Sequence, residues 1–285
     1  MSTFDAVLAQ YEKNKNGSYN GTPQMSEADR LKKYFNTVLP KGQTTGEKRI
    51  RILPTKDGTT PFVEAYFHEI YVDGKKVKLY DPKQEGKRSP LNEVKEGLLI
   101  TKRPEDKELA RQYTSKKFYI VKVIDRDNEA DGPKFWRFKH ASKGDGILDK
   151  IVPIWRNRGN LADVNEGRDL TLSLSLLKSN TGGEYTAVSS IIPEDKAPLH
   201  TDQATIDKWV NDEMTWDKAY AKKSEDYLEL VANGETPKWD ADLKKYVSMN
   251  VSEETFGGTK SSTPATTPKV VDPQEDDEPS DDLPF

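Results

Sequence analysis

Between positions 170 and 176 a leucine stands at every second place, Leu170, Leu172, Leu174 and Leu176, with Thr171, Ser173 and Ser175 between them. Successive side chains of an extended backbone point to opposite sides, so this alternation predicts a strand with one buried face. The same kind of signal recurs in KRIRILP, in TPFVEAYFHEIYVDGKKVKLY, where Asp73-Gly74 marks a hairpin turn, in KKFYIVKVID, in PKFWRFKH and in EYTAVSSII. Asn180-Thr181-Gly182-Gly183 should turn the leucine strand into the last of these. Helical signals are fewer: FDAVLAQYEKN from Phe4, SEADRLKKYF with a capping-box-like Ser26 and Asp29, and GILDKIVPIWRN, which Pro153 should shorten or kink. About two more helices are expected over 202–233. The stretch DPKQEGKRSPLNEVKEGLLITKRPEDKELARQ reads as an insertion of short helices and loops at about 81–112.

About five to seven strands, one helix and a long insertion within roughly 150 residues fit a small barrel or sandwich better than a parallel βαβ sheet. The expected class is mainly β with peripheral helices: an OB-fold barrel core over 41–200, a helical arm over 1–40 and a C-terminal helical segment over 201–250. The Ser/Thr/Pro-rich run TKSSTPATTPKVVDPQ has the composition of a disordered linker and leads into an acidic tail within 251–285.

Charge is distributed unevenly. The four segments 1–40, 41–190, 191–250 and 251–285 carry net +1, +7, −5 and −7, so the overall −4 conceals a basic middle and an acidic end. That suits a polyanion-binding body whose tail competes for the same surface, or a neutral domain with a solubilising tail. No run of about 18 apolar residues and no basic-then-apolar start is present, so neither a membrane span nor a secretory signal is expected, and the cytoplasm is the expected location. The chain has no cysteine, which excludes disulfides, thiol nucleophiles and thiolate zinc sites.

Signs of catalysis are lacking. There is no P-loop, dinucleotide fingerprint, GxSxG elbow or HExxH, and His68, His140 and His200 are far apart in sequence. DRDNEADG from Asp125 resembles a calcium loop only faintly, with Ala130 in place of the central glycine, and reads as a solvated turn. The positive signal is cations interleaved with rings on strands. Arg49 and Arg51 share a face, Lys117 lies with Tyr119, and Phe135, Arg137 and Lys139 alternate with Trp136 and Phe138; Lys56 follows the first strand. Single-stranded nucleic acid needs both features, cations for phosphates and π faces for unstacked bases. The competing reading makes the rings core and the cations edge protection.

In order along residues 47–193, IRILPTKDGTTPFVEAYFHEIYVDGKK, TSKKFYIVKVID, KFWRFKHASKGDGILDKI and EYTAVSSIIP resemble the single-stranded DNA-binding, helix-destabilising proteins of T-even-like tailed phages. The resemblance implies an OB-fold that binds single strands in a basic, aromatic cleft, self-association through the N-terminal segment, and partner binding through an acidic tail. It assigns Arg51, Trp136 and Arg137 to DNA, places Tyr113, Lys116 and Lys117 in a basic-aromatic segment, and puts Tyr185 in a hairpin that contributes aromatics. The family's zinc ligands fall on His68, Asp81, Ser89 and Asn92, of which only the histidine is kept. No structural zinc or other cofactor is therefore expected, and packing of Leu91, Val94, Leu98 and Leu99 should hold the insertion. The family's basic cluster before the first helix is also missing. The last five residues, Asp281, Asp282, Leu283, Pro284 and Phe285, resemble the partner-binding tip of bacterial single-stranded DNA-binding proteins. Phe285 would offer an aromatic ring together with its α-carboxylate. The expectation is a non-enzymatic coat for single-stranded DNA in phage replication, recombination and repair, with replication and recombination proteins as partners. An RNA-binding translational regulator, a protein scaffold and a metal-dependent nuclease are the alternatives.

Overall fold

The computed structural model describes residues 27–179 and 183–249. The helix expected at Phe4, the cap at Ser26, the turn at Asn180-Thr181-Gly182, the linker and the acidic tip lie outside them. The fold is mainly β, with one mixed sheet of eight strands: β1 (Tyr34–Phe35), β2 (Thr45–Ile52), β3 (Val63–Val72), β4 (Lys75–Tyr80), β5 (Ser115–Asp125), β6 (Lys134–Lys139), β7 (Arg168–Lys178) and β8 (Glu184–Lys196). Their path runs β1-β6-β5-β2-β7-β8, while β3 shares the long strand β5 with β2 and carries β4 on its far side. All these pairings are antiparallel except β1 with β6. Asp73 and Gly74, at φ of 51° and 71°, make the tight turn between β3 and β4 that the sequence predicts.

The sheet curls around its main core. Leu170, Leu172 and Leu174 are buried there, as the alternation predicts, together with Val188 and Ile191 of β8 and with Phe35, Trp136 and Phe138 from the other end of the strand order. Among the described residues no strand pairing joins β8 to β1 or β6. The backbone nitrogen of Leu39 instead donates to Thr186 Oγ1 at 3.2 Å, tethering the two ends through a side chain.

Helices lie at the periphery. α1 (Glu27–Leu31) stops short of the predicted end, because Tyr34 and Phe35 pair with the edge of β6 and bury Phe35 against Trp136. α2 (Pro90–Ile100) and α3 (Pro104–Gln112) form the insertion, each with proline in its first turn, where the missing N–H costs nothing. Leu91 is buried and Val94 and Leu98 pack beside it, but Leu99 is nearly half exposed and does not belong to that core. α4 (Ile147–Arg158) contains Pro153 and nevertheless runs on to Arg158.

The C-terminal segment is more varied than the two helices expected. It consists of α5 (Gln203–Val210), α6 (Trp216–Ala219) and α7 (Glu225–Ala232), then a hairpin of β9 (Pro237–Asp240) and β10 (Lys245–Ser248). α7 packs Leu228 and Val231 into the insertion with Leu79 and Leu91. Ala219 and Tyr220 close a second core with Phe67, Phe118 and Phe135 on the outer face of the sheet. Among the described residues no helix is long and apolar enough to cross a membrane.

Candidate nucleic-acid interface

The pairing register decides which of the predicted binding residues can meet a ligand. Across β5 and β6, Tyr119 opposes Phe138 and Val121 opposes Trp136, while Phe118 opposes Lys139 and Ile120 opposes Arg137. Directly opposed residues of an antiparallel pair point to the same side. The first set faces the main core and the second faces outward, beneath the C-terminal segment.

This geometry corrects four assignments. Trp136 is fully buried, 4.8 Å from the Phe138 ring and 5.7 Å from Phe35, so no base can stack on it. Arg137 is buried on the opposite side, its guanidinium 4.3 Å from the Tyr220 ring and 4.8 Å from Phe67. Arg51 has no exposed surface; Nη2 donates to the carbonyls of Asp163 and Ala197, both at 2.8 Å, and Nη1 donates to Asp169 at 3.2 Å. Its burial lowers the guanidinium from its ordinary value, opposed by Asp169. Tyr113 is buried in the insertion core with Leu79 and Leu228.

Lys116 and Lys139 are engaged inside the fold. Their ammonium groups stand 2.9 and 3.5 Å from the buried Glu69 carboxylate. Burial alone would raise Glu69, but Lys139, Lys116 and Lys76 outweigh it and hold the carboxyl at about 2. Burial also lowers Lys139, against the pull of Glu69. Because Glu69 is depressed from 4.5, the stability it supplies is fully present above about pH 4.5 and is lost as pH falls toward 2. Glu69→Gln should therefore lower the urea midpoint at pH 6, and the gap to the unsubstituted protein should close between pH 4.5 and 2.

Of the other five predicted residues, four remain at or near the surface and Tyr119 is buried in the main core beside Lys117. Lys117 Nζ lies 5.1 Å from the Tyr119 ring centroid and 2.6 Å from Glu64, and its bond to Glu64 raises the ammonium above its ordinary value. Tyr119 is largely covered, with its hydroxyl 3.4 Å from Nδ1 of the exposed His140. Arg49 is half exposed, 3.8 Å from Glu194; Lys56 is exposed at the rim of a mainly apolar cavity of about 330 Å³; Tyr185 is half-buried opposite Leu177. These three are not brought together with Lys117 by any contact among the described residues.

What gathers around Lys117 is a string of rings that runs out of the core. Phe138 lies 5.9 Å from Tyr119 and 6.4 Å from Phe62; Tyr119 lies 5.7 Å from His140; Phe62 lies 6.0 Å from Trp155 of α4. Tyr66, which is exposed, opposes Lys117 across β3 and β5. Arg156 and Arg158, both exposed, continue α4 beyond Trp155. Phe62, Tyr66, His140 and Trp155 were not among the predicted site residues, although the same period of two sets Tyr66 opposite to Phe67 and His140 directly extends KFWRFK.

In comparisons with known proteins, no family model and no curated protein matches this chain. Among the described residues no group of three or more His, Asp or Glu side chains is placed to hold a metal ion. His68, Asp81, Ser89 and Asn92 do meet, where the insertion joins the sheet.

Proposed function

We propose that the chain binds single-stranded DNA without sequence preference, that the curled sheet is an OB-type barrel, and that the ring surface of Phe62, Tyr66, His140 and Trp155 is where the bases lie. The observation that carries this reading is the edge of that surface, where Lys117 is poised over Tyr119 beside the exposed Tyr66. Base stacking on an aromatic side chain contributes about 1–3 kcal/mol and tolerates any base, while phosphates require cations. Glu64 holds the Lys117 ammonium in place, and an arriving phosphate competes with that carboxylate for it. Arg156 and Arg158 extend the cationic margin.

A mobility shift with single-stranded and duplex DNA of one sequence, and RNA of the same sequence, tests the reading. Single-stranded DNA should bind with quenching of tryptophan fluorescence, and Tyr66→Ala and Lys117→Glu should each weaken binding by about 5- to 100-fold. Preference for duplex, or full binding by both variants, would reject this surface; preference for RNA would redirect the function to RNA.

The acidic end takes the second role. Residues 251–285 carry nine acidic and two basic side chains and end in Asp281-Asp282-Leu283-Pro284-Phe285. In this proposal the tail stands in for a nucleic-acid strand at the binding surface and, once displaced, presents Phe285 to replication and recombination proteins. Deleting 251–285 should tighten DNA binding at low salt; unchanged or weaker binding would remove the competition.

A further inference from the structure

Four polar residues from separate elements meet where the insertion joins the sheet. His68 lies on β3, Asp81 follows β4, and Ser89 and Asn92 belong to the start of α2; all four are buried. The Asn92 amide nitrogen sits at the centre, donating to both Asp81 oxygens at 2.8 and 2.9 Å and to Ser89 Oγ at 3.0 Å. Ser89 Oγ donates in turn to Asp81 Oδ1 at 2.9 Å, and the Lys83 backbone N–H donates to the same oxygen at 3.0 Å. His68 Nδ1 donates to the Tyr113 carbonyl at 2.8 Å, leaving Nε2 facing Asp81 Oδ1 at 3.5 Å.

These are the positions that hold zinc ligands in the phage family that the chain resembles. A structural zinc ion takes four converging lone-pair donors, mostly thiolates at about 2.3 Å. Here the centre is taken by an NH₂ group, which has hydrogens to give and no lone pair to offer. The carboxylate that would have to ligate already accepts several hydrogen bonds. The donor set does not fit zinc. It does fit a carboxylate whose charge is balanced by hydrogen bonds, the arrangement that makes burial of such a group tolerable.

We infer that the Asp81 carboxylate and the Asn92 amide form a metal-free clasp that fastens the insertion to the sheet at the place where a metal would otherwise cross-link it. The clasp joins β3, the turn after β4, the start of α2 and, through Tyr113 and Ser115, the start of β5. The polar atoms around the Asp81 carboxylate lie 2.8–3.5 Å from it, and ligands about 2.3 Å from a tetrahedral ion lie about 3.8 Å from one another. Cysteines at 81, 89 and 92 would bring three thiolates to the side of the His68 imidazole. The inference is independent of the nucleic-acid reading and is tested without DNA.

The full-length chain is melted with and without a strong chelator, and its zinc content is measured. The midpoint should not move, and zinc should be far below one per chain. Asn92→Ala should lower the melting temperature by roughly 5–10 °C and Ser89→Ala by a smaller amount. The triple variant Asp81→Cys, Ser89→Cys, Asn92→Cys, titrated with cobalt(II), should bind one equivalent with the visible absorption of a tetrahedral thiolate centre and gain a chelator-sensitive melt. One zinc per unsubstituted chain, or a chelator-sensitive melt of that chain, would overturn the metal-free clasp, and this arm requires no variant to fold. An Asn92→Ala protein that melts with the unsubstituted one would show that the cluster fastens nothing. A folded triple variant that takes no cobalt would overturn the placement of the four positions.

Discussion

Arg51→Ala should cost about 3–5 kcal/mol of folding stability, the range for removing one partner of a buried, hydrogen-bonded charge pair. The guanidinium binds the Asp163 and Ala197 carbonyls and Asp169, a carboxylate also held by Arg126 at 2.9 Å. Taking Arg51 away leaves two carbonyls without that donor and a cavity beside Gly167, where an added Cβ would come within 2.3 Å of the Asp163 oxygen and 2.6 Å of the Arg51 guanidinium. Lysine cannot make the same forked contact, so Arg51→Lys should recover only part of the loss. Thermal melts and DNA titrations on one preparation separate this role from a contact with DNA. A variant that melts normally and loses only DNA affinity would show that Arg51 touches the strand; the buried geometry predicts the reverse.

Affinity for single-stranded DNA should fall steeply with salt. Counterion release gives about 0.7 log unit per log salt for each phosphate neutralised, so a contact with about five phosphates loses roughly 100-fold between 50 and 200 mM salt. Stacking on rings is far less sensitive to salt, so a residual, sequence-tolerant affinity should persist at the high-salt end. Lys117→Glu should flatten the slope by about one phosphate, whereas Tyr66→Ala should lower the whole curve without changing its slope. A flat titration of the unsubstituted protein would remove the polyanion-binding reading. Equal slopes for both variants would show that Lys117 meets no phosphate.

β7 was legible because its buried side chains, Leu170, Leu172 and Leu174, fall at every second residue, whereas β5 and β6, buried in continuous runs, were legible as stretches rich in aromatic and β-branched residues. Tyr34–Phe35 was not, since two residues carry no period, and its reason to pair is the free edge of a strand a hundred residues away. The β9–β10 hairpin was hidden for a related reason: its strands of four residues each are half exposed and mix charged with aromatic positions. The candidate site was legible as a composition and not as a place. Alternation in KFWRFK correctly separates Trp136 and Phe138 from Arg137 and Lys139, but it cannot tell which side becomes the interior. Nor can it show that Tyr220, more than 80 residues later, stacks on Arg137. Ile50 and Ile52 lie in the core, while Arg51 between them meets carbonyls from 112 and 146 residues away.

The place of Tyr220 and α7 sets the order in which the protein can mature. Phe67, Phe118 and Phe135 leave the ribosome long before the residues that cover them, and Leu79 and Leu91 wait in the same way for Leu228 and Val231. Until about residue 231 has emerged, the nascent chain presents an unsealed aromatic flank, the kind of surface on which chaperones act and on which stalled chains associate. A chain interrupted near residue 200 lacks Tyr220, Leu228 and Val231 and is expected to accumulate in the insoluble fraction.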